Sequence, residues 1–483
     1  MTTETAQTKT TQTKGATTDA GLRSGVMGGA ELTAQALANI APSAVIAFTA
    51  AAIFLTAGKA TWLSFAVATI IILAVGYNIA QFAKTRASAG SLYSYAAAGL
   101  GPTGAFFTGV TLILGCFGIA AASLSGSVVY MTTVLNNIGI PVEGVLSQVI
   151  IAIVLGSLAT YFTIRSVRLS ARVSLVLEIV SICIITIVLI SGLVALGPNA
   201  LDLSQFAFEG ITFNGVAAGM VLAILGFVGF SSADVLGREA RNPYRTIPRV
   251  IMWSALGVGL LYIFAAYTQV AVLGDGLGAS ASPMDDIAAV VGFPTWFYPI
   301  LNFGIAASFF AVVVAPINVI GRIVYVMGKE GVVHASIGRT HPTHLTPHRA
   351  ILTIAPFIIL LPVAFYIAGV DGISVLVWIN TTGTYGYMFA YALVAIASLI
   401  VLRKLGKATP LVWLTTILSV LGMAYVFYAN VFPVPVFPFN VLPWIFLGLV
   451  LLALIRYVYL LRKRPDVIAR IGNTETEILG GIG

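Results

Sequence analysis

Long apolar runs recur from near residue 32 to near residue 461 of this chain. A helix needs about 20 mostly apolar residues to cross the hydrocarbon core of a bilayer. In lipid only helices and closed barrels satisfy their own backbone hydrogen bonds. The runs therefore predict an all-α integral membrane protein. They fall at 32–58, 62–82, 104–134, 145–163, 174–196, 213–236, 250–273, 296–327, 351–370, 373–402, 410–429 and 441–461, which makes twelve transmembrane spans. The composition agrees: 59% of the 483 residues are hydrophobic and 9% charged, against about half and a quarter for a soluble domain.

Charge placement orients the spans. The net charge of +8 comes from clusters that follow alternate spans. Lys9, Lys14 and Arg23 precede span one. Lys84 and Arg86 follow span two, Arg165, Arg168 and Arg172 span four, and Arg238, Arg241, Arg245 and Arg249 span six. Arg322, Lys329, Arg339 and Arg349 follow span eight, Arg403, Lys404 and Lys407 span ten, and Arg456, Arg462, Lys463, Arg464 and Arg470 close the chain. Only Lys59 belongs to the other side. The positive-inside rule then predicts both termini in the cytoplasm of a plasma-membrane protein, and the excess charge is no sign of nucleic acid.

The expected organisation is a tail at 1–29, a core at 30–402, two further helices at 408–463 and a second tail at 464–483. The first tail lacks a short apolar stretch after a basic start, so it reads as disordered rather than as a signal peptide. Cys116 and Cys183 lie inside spans and imply no disulfide framework. In "ASPMDDIAAVVG" (281–292), Ser282, Pro283 and Asp285 suit the start of a short external helix. The proline-rich "VFPVPVFPF" (431–439) cannot be helical.

Two spans look broken. Span one carries Pro42 at mid-membrane, and span six carries Gly226 and Gly229. They lie five spans apart, an odd offset that would invert one half of the core, 30–198, relative to the other, 210–402. No repeat is visible as similarity between the halves. Either break alone is equally a kink or a packing notch; the matched pair points to a binding site.

After the second break stands "GFVGFSSADVLGREARNPYRTIPRVI" (226–251). It resembles the amino acid–polyamine–organocation transporter superfamily in Gly229, Phe230, Glu239, Asn242, Pro243, Arg245, Thr246, Ile247 and Pro248. Ser231 stands where that family often has an acid, and Arg238 where it often has the first of two acids. "SAGSLYSYAAAGLGPTGAFFTG" (88–109), "NVIGRIVYVMGKEGVVHASIGRTHPTHLTP" (318–347) and "IAPSAVIAFTAAAIFLTAG" (40–58) are similar to other parts of the family pattern. The resemblance implies a leucine-transporter-like fold of five plus five inverted helices with two peripheral ones. It also implies alternating access around a site between spans one, three, six, eight and ten.

An unwound stretch offers the chemistry an amino acid needs. The half-helix after a break presents free N–H groups to a carboxylate, and the half-helix before it presents carbonyls to an ammonium. The substrate-binding candidates are Ala41, Ser43, Ala44 and Val45 on span one, and Phe227, Gly229, Phe230 and Ser231 on span six. Phe227 or Phe230 is either an aromatic lid or ordinary packing. Glu178 lies deep in span five, where a carboxylate must face the bundle and find a partner or a proton. It reads as a coupling residue for H+, as a counter-charge to a substrate amine, or as a neutral structural acid. Proton-coupled relatives often carry a lysine on this helix; here Ser181 occupies that neighbourhood. Ser308 is either a cation-site hydroxyl or a residue bonded back to its own helix. Asp234 and Arg238 are spaced to pair, and Glu31 sits at the interface. His334, His341, His344 and His348 share one loop without supporting acids or thiols, so no metal is expected.

No nucleophile–base pair, phosphate-binding loop or cofactor motif lies in the spans, which argues against an enzyme. No repeated pore motif argues for a channel. The expected activity is proton-coupled uptake of an amino acid across the plasma membrane. The neutral Ser231 favours a zwitterion with an uncharged side chain over a polyamine, because a second ammonium at this depth needs an opposite charge.

Overall fold

The structure is a computed structural model, and it describes residues 22, 25–207 and 211–472. Most of the two expected tails, 1–21 and 473–483, lies outside the described residues. Fifteen α-helices follow in order: α1 (Gly29–Ile40), α2 (Pro42–Ala57), α3 (Thr61–Ala83), α4 (Leu92–Asn137), α5 (Gly144–Arg165), α6 (Val167–Leu196), α7 (Phe213–Leu225), α8 (Pro243–Leu273), α9 (Pro283–Val291), α10 (Phe297–Glu330), α11 (His348–Ile367), α12 (Gly372–Lys404), α13 (Pro410–Ala429), α14 (Leu442–Lys463) and α15 (Pro465–Arg470). No strand occurs among the described residues, only an isolated bridge between Met27 and Ala240.

Among the described residues, ten segments are long and apolar enough to cross a bilayer. One of them, Gly29–Ala83, holds α1, α2 and α3, and α7 is a shorter apolar helix. Burial separates an inner group from an outer one. The apolar window of α10 is 94% inside the protein, whereas those of α5 and α14 are 17% buried. A glycine seam joins α4 to α12 within the inner group. A Cβ on Gly118 would lie 2.6 Å from Gly383 Cα, and one on Gly386 would lie 2.3 Å from the Thr111 carbonyl. Such backbone contact is the membrane substitute for a hydrophobic driving force, because van der Waals packing must hold helices that lipid solvates equally well.

Three expectations need correction. The N-cap Ser282 of α9 makes no side-chain cap. Asp285 instead accepts from Asn302 Nδ2 (3.1 Å), and burial pushes its carboxyl up to about 6. The segment after residue 463 is more than a tail: α15 docks with Val467 and Ile471 buried, and the Gly472 N–H donates to Glu330 Oε1 (2.8 Å). Asp234 turns to the Ser91 hydroxyl (2.7 Å), and its Oδ2 has no hydrogen-bond partner, so it makes no bond to Arg238.

Candidate functional site

Proline makes the first break. Pro42 has no N–H, so the ladder of α1 cannot continue through it. Ala41 takes a left-handed turn (φ 51°, ψ 64°), and α2 starts at once. The first donors of α2 are nevertheless filled from within the protein. Ser43 gives its N–H (3.4 Å) and its hydroxyl (3.2 Å) to Glu178 Oε1 on α6. The Ala44 N–H donates to Ser308 Oγ on α10 (3.3 Å), and Ser308 Oγ donates to Glu178 Oε2 (2.8 Å). Both side chains are fully buried. The candidates Ser43, Glu178 and Ser308 thus form one cluster, and the carboxylate at the start of α2 belongs to the protein.

The second break is wider. α7 ends at Leu225, residues 226–230 run as turns, and only a short 3-10 helix, Ser232–Leu236, follows before α8. No α-helical second half of span six exists. Gly229 has φ +90°, and a Cβ there would lie 2.3 Å from Asn39 Nδ2, so both backbone and space require glycine. Its N–H donates to the Tyr391 hydroxyl (3.1 Å), and its carbonyl accepts from Asn39 Nδ2 (3.2 Å). The Gly226 carbonyl accepts from the Tyr262 hydroxyl (2.8 Å). The Phe227 ring meets Tyr262 edge-on at 5.0 Å, and Phe230 lies tilted on Tyr391 at 5.3 Å. Both rings are fully buried, and Ser231 is buried as well.

A cavity of about 310 Å³ lies between the two breaks, walled by helices α1, α2, α4, α7, α10 and α12. Ala41, Ala44 and Val45 of the sequence candidates line it. Ser43, Phe227, Gly229, Phe230, Ser231, Glu178 and Ser308 stand behind its wall. Residues that the sequence reading did not single out complete it. Asn39, Ser123, Asn380 and Thr381 are polar, Phe48 and Phe309 stack at 6.4 Å, and Asn430 and Phe439 arrive from the segment after α13. The polar ones had a usable signal as amides and hydroxyls inside apolar spans; the aromatic ones had none. No lining side chain is ionisable, and Asn39 Oδ1 is buried without a hydrogen-bond partner.

Along α1, from Asn39 back to Glu31, about 12 Å of cross-ties separate this cavity from the basic face. Ser232 Oγ donates to the Gln35 carbonyl (2.9 Å), and Gln35 Nε2 to the Ala315 carbonyl (3.0 Å). Glu31 pairs with Arg168 (3.3 Å) and Arg172 (3.5 Å). Arg322, expected in the exposed cluster after span eight, is instead buried within α10 and paired with Glu239 at 2.8 Å. Among the described residues no group of three or more His, Cys, Asp or Glu is placed to hold a metal ion.

An all-helical bundle with two broken helices around one uncharged cavity defines a membrane transporter, and the comparisons specify which kind. The chain belongs to the amino acid permease family, whose sequence profile matches residues 31–455. It is similar to the branched-chain amino acid permease BcaP of Bacillus subtilis, with 25% identity over 72% of this chain and 75% of the relative. It is also similar to the low-affinity putrescine importer PlaP of Escherichia coli, 24% identical over 62% of this chain and 66% of that one. Among solved structures it shares the fold of a manganese transporter from Eremococcus coleocola, with a TM-score of 0.55, 12% identity, and coverage of 92% of this chain and 94% of that one. The protein is a multi-pass membrane permease of this family with a small-molecule substrate, not an enzyme.

Proposed function

We propose that the protein takes up neutral, zwitterionic amino acids by alternating access, coupled to protons. The observation that carries this reading is the cavity at the breaks, whose lining holds no ionisable side chain. A zwitterion of no net charge fits such a lining. Asn39, Ser123, Asn380 and Thr381 offer neutral partners to its ammonium and carboxylate, and Phe48, Phe309 and Ile119 receive an apolar side chain. A diamine would bring a second positive charge with nothing beside the cavity to offset its desolvation. Its counter-charge would have to come from Glu178, whose two oxygens are engaged with Ser43 and Ser308. In proteoliposomes, leucine, alanine and serine should outcompete arginine and putrescine. If putrescine or arginine wins, the polyamine reading replaces this one.

The same reading makes Glu178 the proton carrier. Its negative charge at the N-terminal end of α2 is favoured by the helix dipole. Protonation removes that charge and loosens the tie between α2, α6 and α10, so proton binding is felt at the break. Twelve spans, two inverted five-helix halves with α13 and α14 at the periphery, and cytoplasmic termini in the plasma membrane complete the proposal. Cysteine labelling tests its orientation. Asn199→Cys should react with an impermeant reagent from outside and Arg241→Cys only from inside, and the reverse pattern rejects the topology.

A further inference from the structure

On the outer side of the first break, a groove of about 390 Å³ runs between α1, α6 and α8. Its floor includes Leu37, one helical turn before Ala41, and Pro42, directly after it, and Ile182 forms part of one wall. The α8 wall carries Arg249, Trp253, Gly257 and Leu261 in four-residue steps, which places them on one stripe of the helix. A Cβ built on Gly257 meets nothing within 4 Å, so the missing side chain leaves this part of the groove open. Trp253 is 70% exposed at the edge. Arg245 and Arg249, both exposed, continue the stripe toward the basic face.

From Arg249 to Leu261 the stripe is roughly 18 Å long. Half of a hydrocarbon core is about 15 Å. The groove therefore matches the depth of one leaflet, with its cations at the end where lipid headgroups lie and its apolar floor where acyl chains lie. Tryptophan favours that same boundary.

We infer that this groove is a binding site for an anionic phospholipid, with an acyl chain along Gly257 and Leu261 and the headgroup phosphate at Arg249 and Arg245. The chain of the lipid bears on Leu37 and Pro42. Ala41 and Ala44, on the other side of the same break, line the cavity. The lipid thus supports the break from the bilayer side.

The test titrates phosphatidylglycerol and, separately, phosphatidylcholine with the same acyl chains into delipidated full-length protein in detergent. Bound lipid is counted by native mass spectrometry, and the thermal midpoint is followed in parallel. Phosphatidylglycerol should bind saturably and raise the midpoint, and phosphatidylcholine should do neither at the same concentration. Gly257→Phe fills the groove and should abolish both responses. Arg249→Gln and Arg245→Gln should each weaken phosphatidylglycerol binding roughly fivefold, the weight of one cation near an anionic headgroup. Equal binding of the two lipids by the wild type overturns the inference, as does a full phosphatidylglycerol response in Gly257→Phe. Should Gly257→Phe fail to fold, Arg249→Gln decides: it alters an exposed side chain, and unchanged affinity there overturns the inference. None of these readouts involves transport, so their failure leaves the proposed function standing.

Discussion

The two breaks that frame the cavity are fastened by different chemistry. The first is one residue wide, resumes immediately as helix, and is held by Glu178, an ionisable group, through Ser43 and Ser308. The turns of the second, Gly226 to Phe230, are held by neutral groups, the hydroxyls of Tyr262 and Tyr391 and the amide of Asn39, and an acid, Asp234 on the Ser91 hydroxyl, enters only in the 3-10 segment beyond them. A neutral fastening keeps its strength as pH changes. An anionic one is altered whenever its carboxylate takes a proton. On the proposed proton coupling, the switch falls at the first break and the turns at Gly226 to Phe230 serve as the frame.

The largest effect that tests this contrast is on coupling. Glu178→Gln keeps the shape and one acceptor oxygen, for Ser43 or for Ser308, and cannot titrate. Uptake driven by a pH gradient should fall to background while counterflow exchange survives. Unchanged gradient-driven uptake would remove Glu178 from the mechanism, and equal loss of both activities with poor expression would make it a structural tie.

Next in size is Gly229→Ala. The positive φ alone costs about 1–3 kcal/mol for a residue with a side chain, and the contact with Asn39 adds to it. The thermal midpoint should drop without any change in the pH dependence of what transport remains. A changed pH dependence would break the division between switch and frame.

The smallest effect is expected for Tyr391→Phe. It leaves the buried Gly229 N–H without its partner, a penalty of about 1–3 kcal/mol. A moderate loss of stability with intact proton coupling sharpens the contrast; loss of coupling would show that the second break titrates too, through a neighbour.

The breaks themselves were legible in the sequence because proline and glycine act locally. Pro42 marked the first break to within one residue of Ala41, and Gly229 marked the centre of the second. Glu178 was legible as a residue needing a partner, since burial of a carboxylate in an apolar helix demands one. Its partners were not, because Ser43 and Ser308 lie 135 and 130 residues away in the chain. The direction of Phe227 and Phe230 was hidden for a related reason. Residues 231–236 follow directly on the apolar run of α7 and read as its continuation, but Ser232 and Asp234 are bonded to Gln35 and Ser91, and that tertiary pull sets the course of the turn. Arg322 was counted toward the basic face by position, but a count of charges does not see that Glu239 draws it inside.

The ties between the first helix and the second break also bear on how the protein is made. Asn39 and Gly229 are 190 residues apart, Gln35 and Ser232 are 197 apart, and the Met27 N–H donates to the Glu239 carbonyl. Every one of these bonds joins the start of the polypeptide to a stretch that leaves the ribosome much later. Until that stretch is inserted, the Asn39 side chain lacks both the Gly229 carbonyl and the Tyr387 hydroxyl. The first helix thus enters the bilayer incomplete, and its final seat exists only after the second half has arrived. A fragment ending before residue 226 is expected to be a substrate for quality-control proteolysis rather than a stable half-protein, and nascent-chain crosslinking would time the moment of closure.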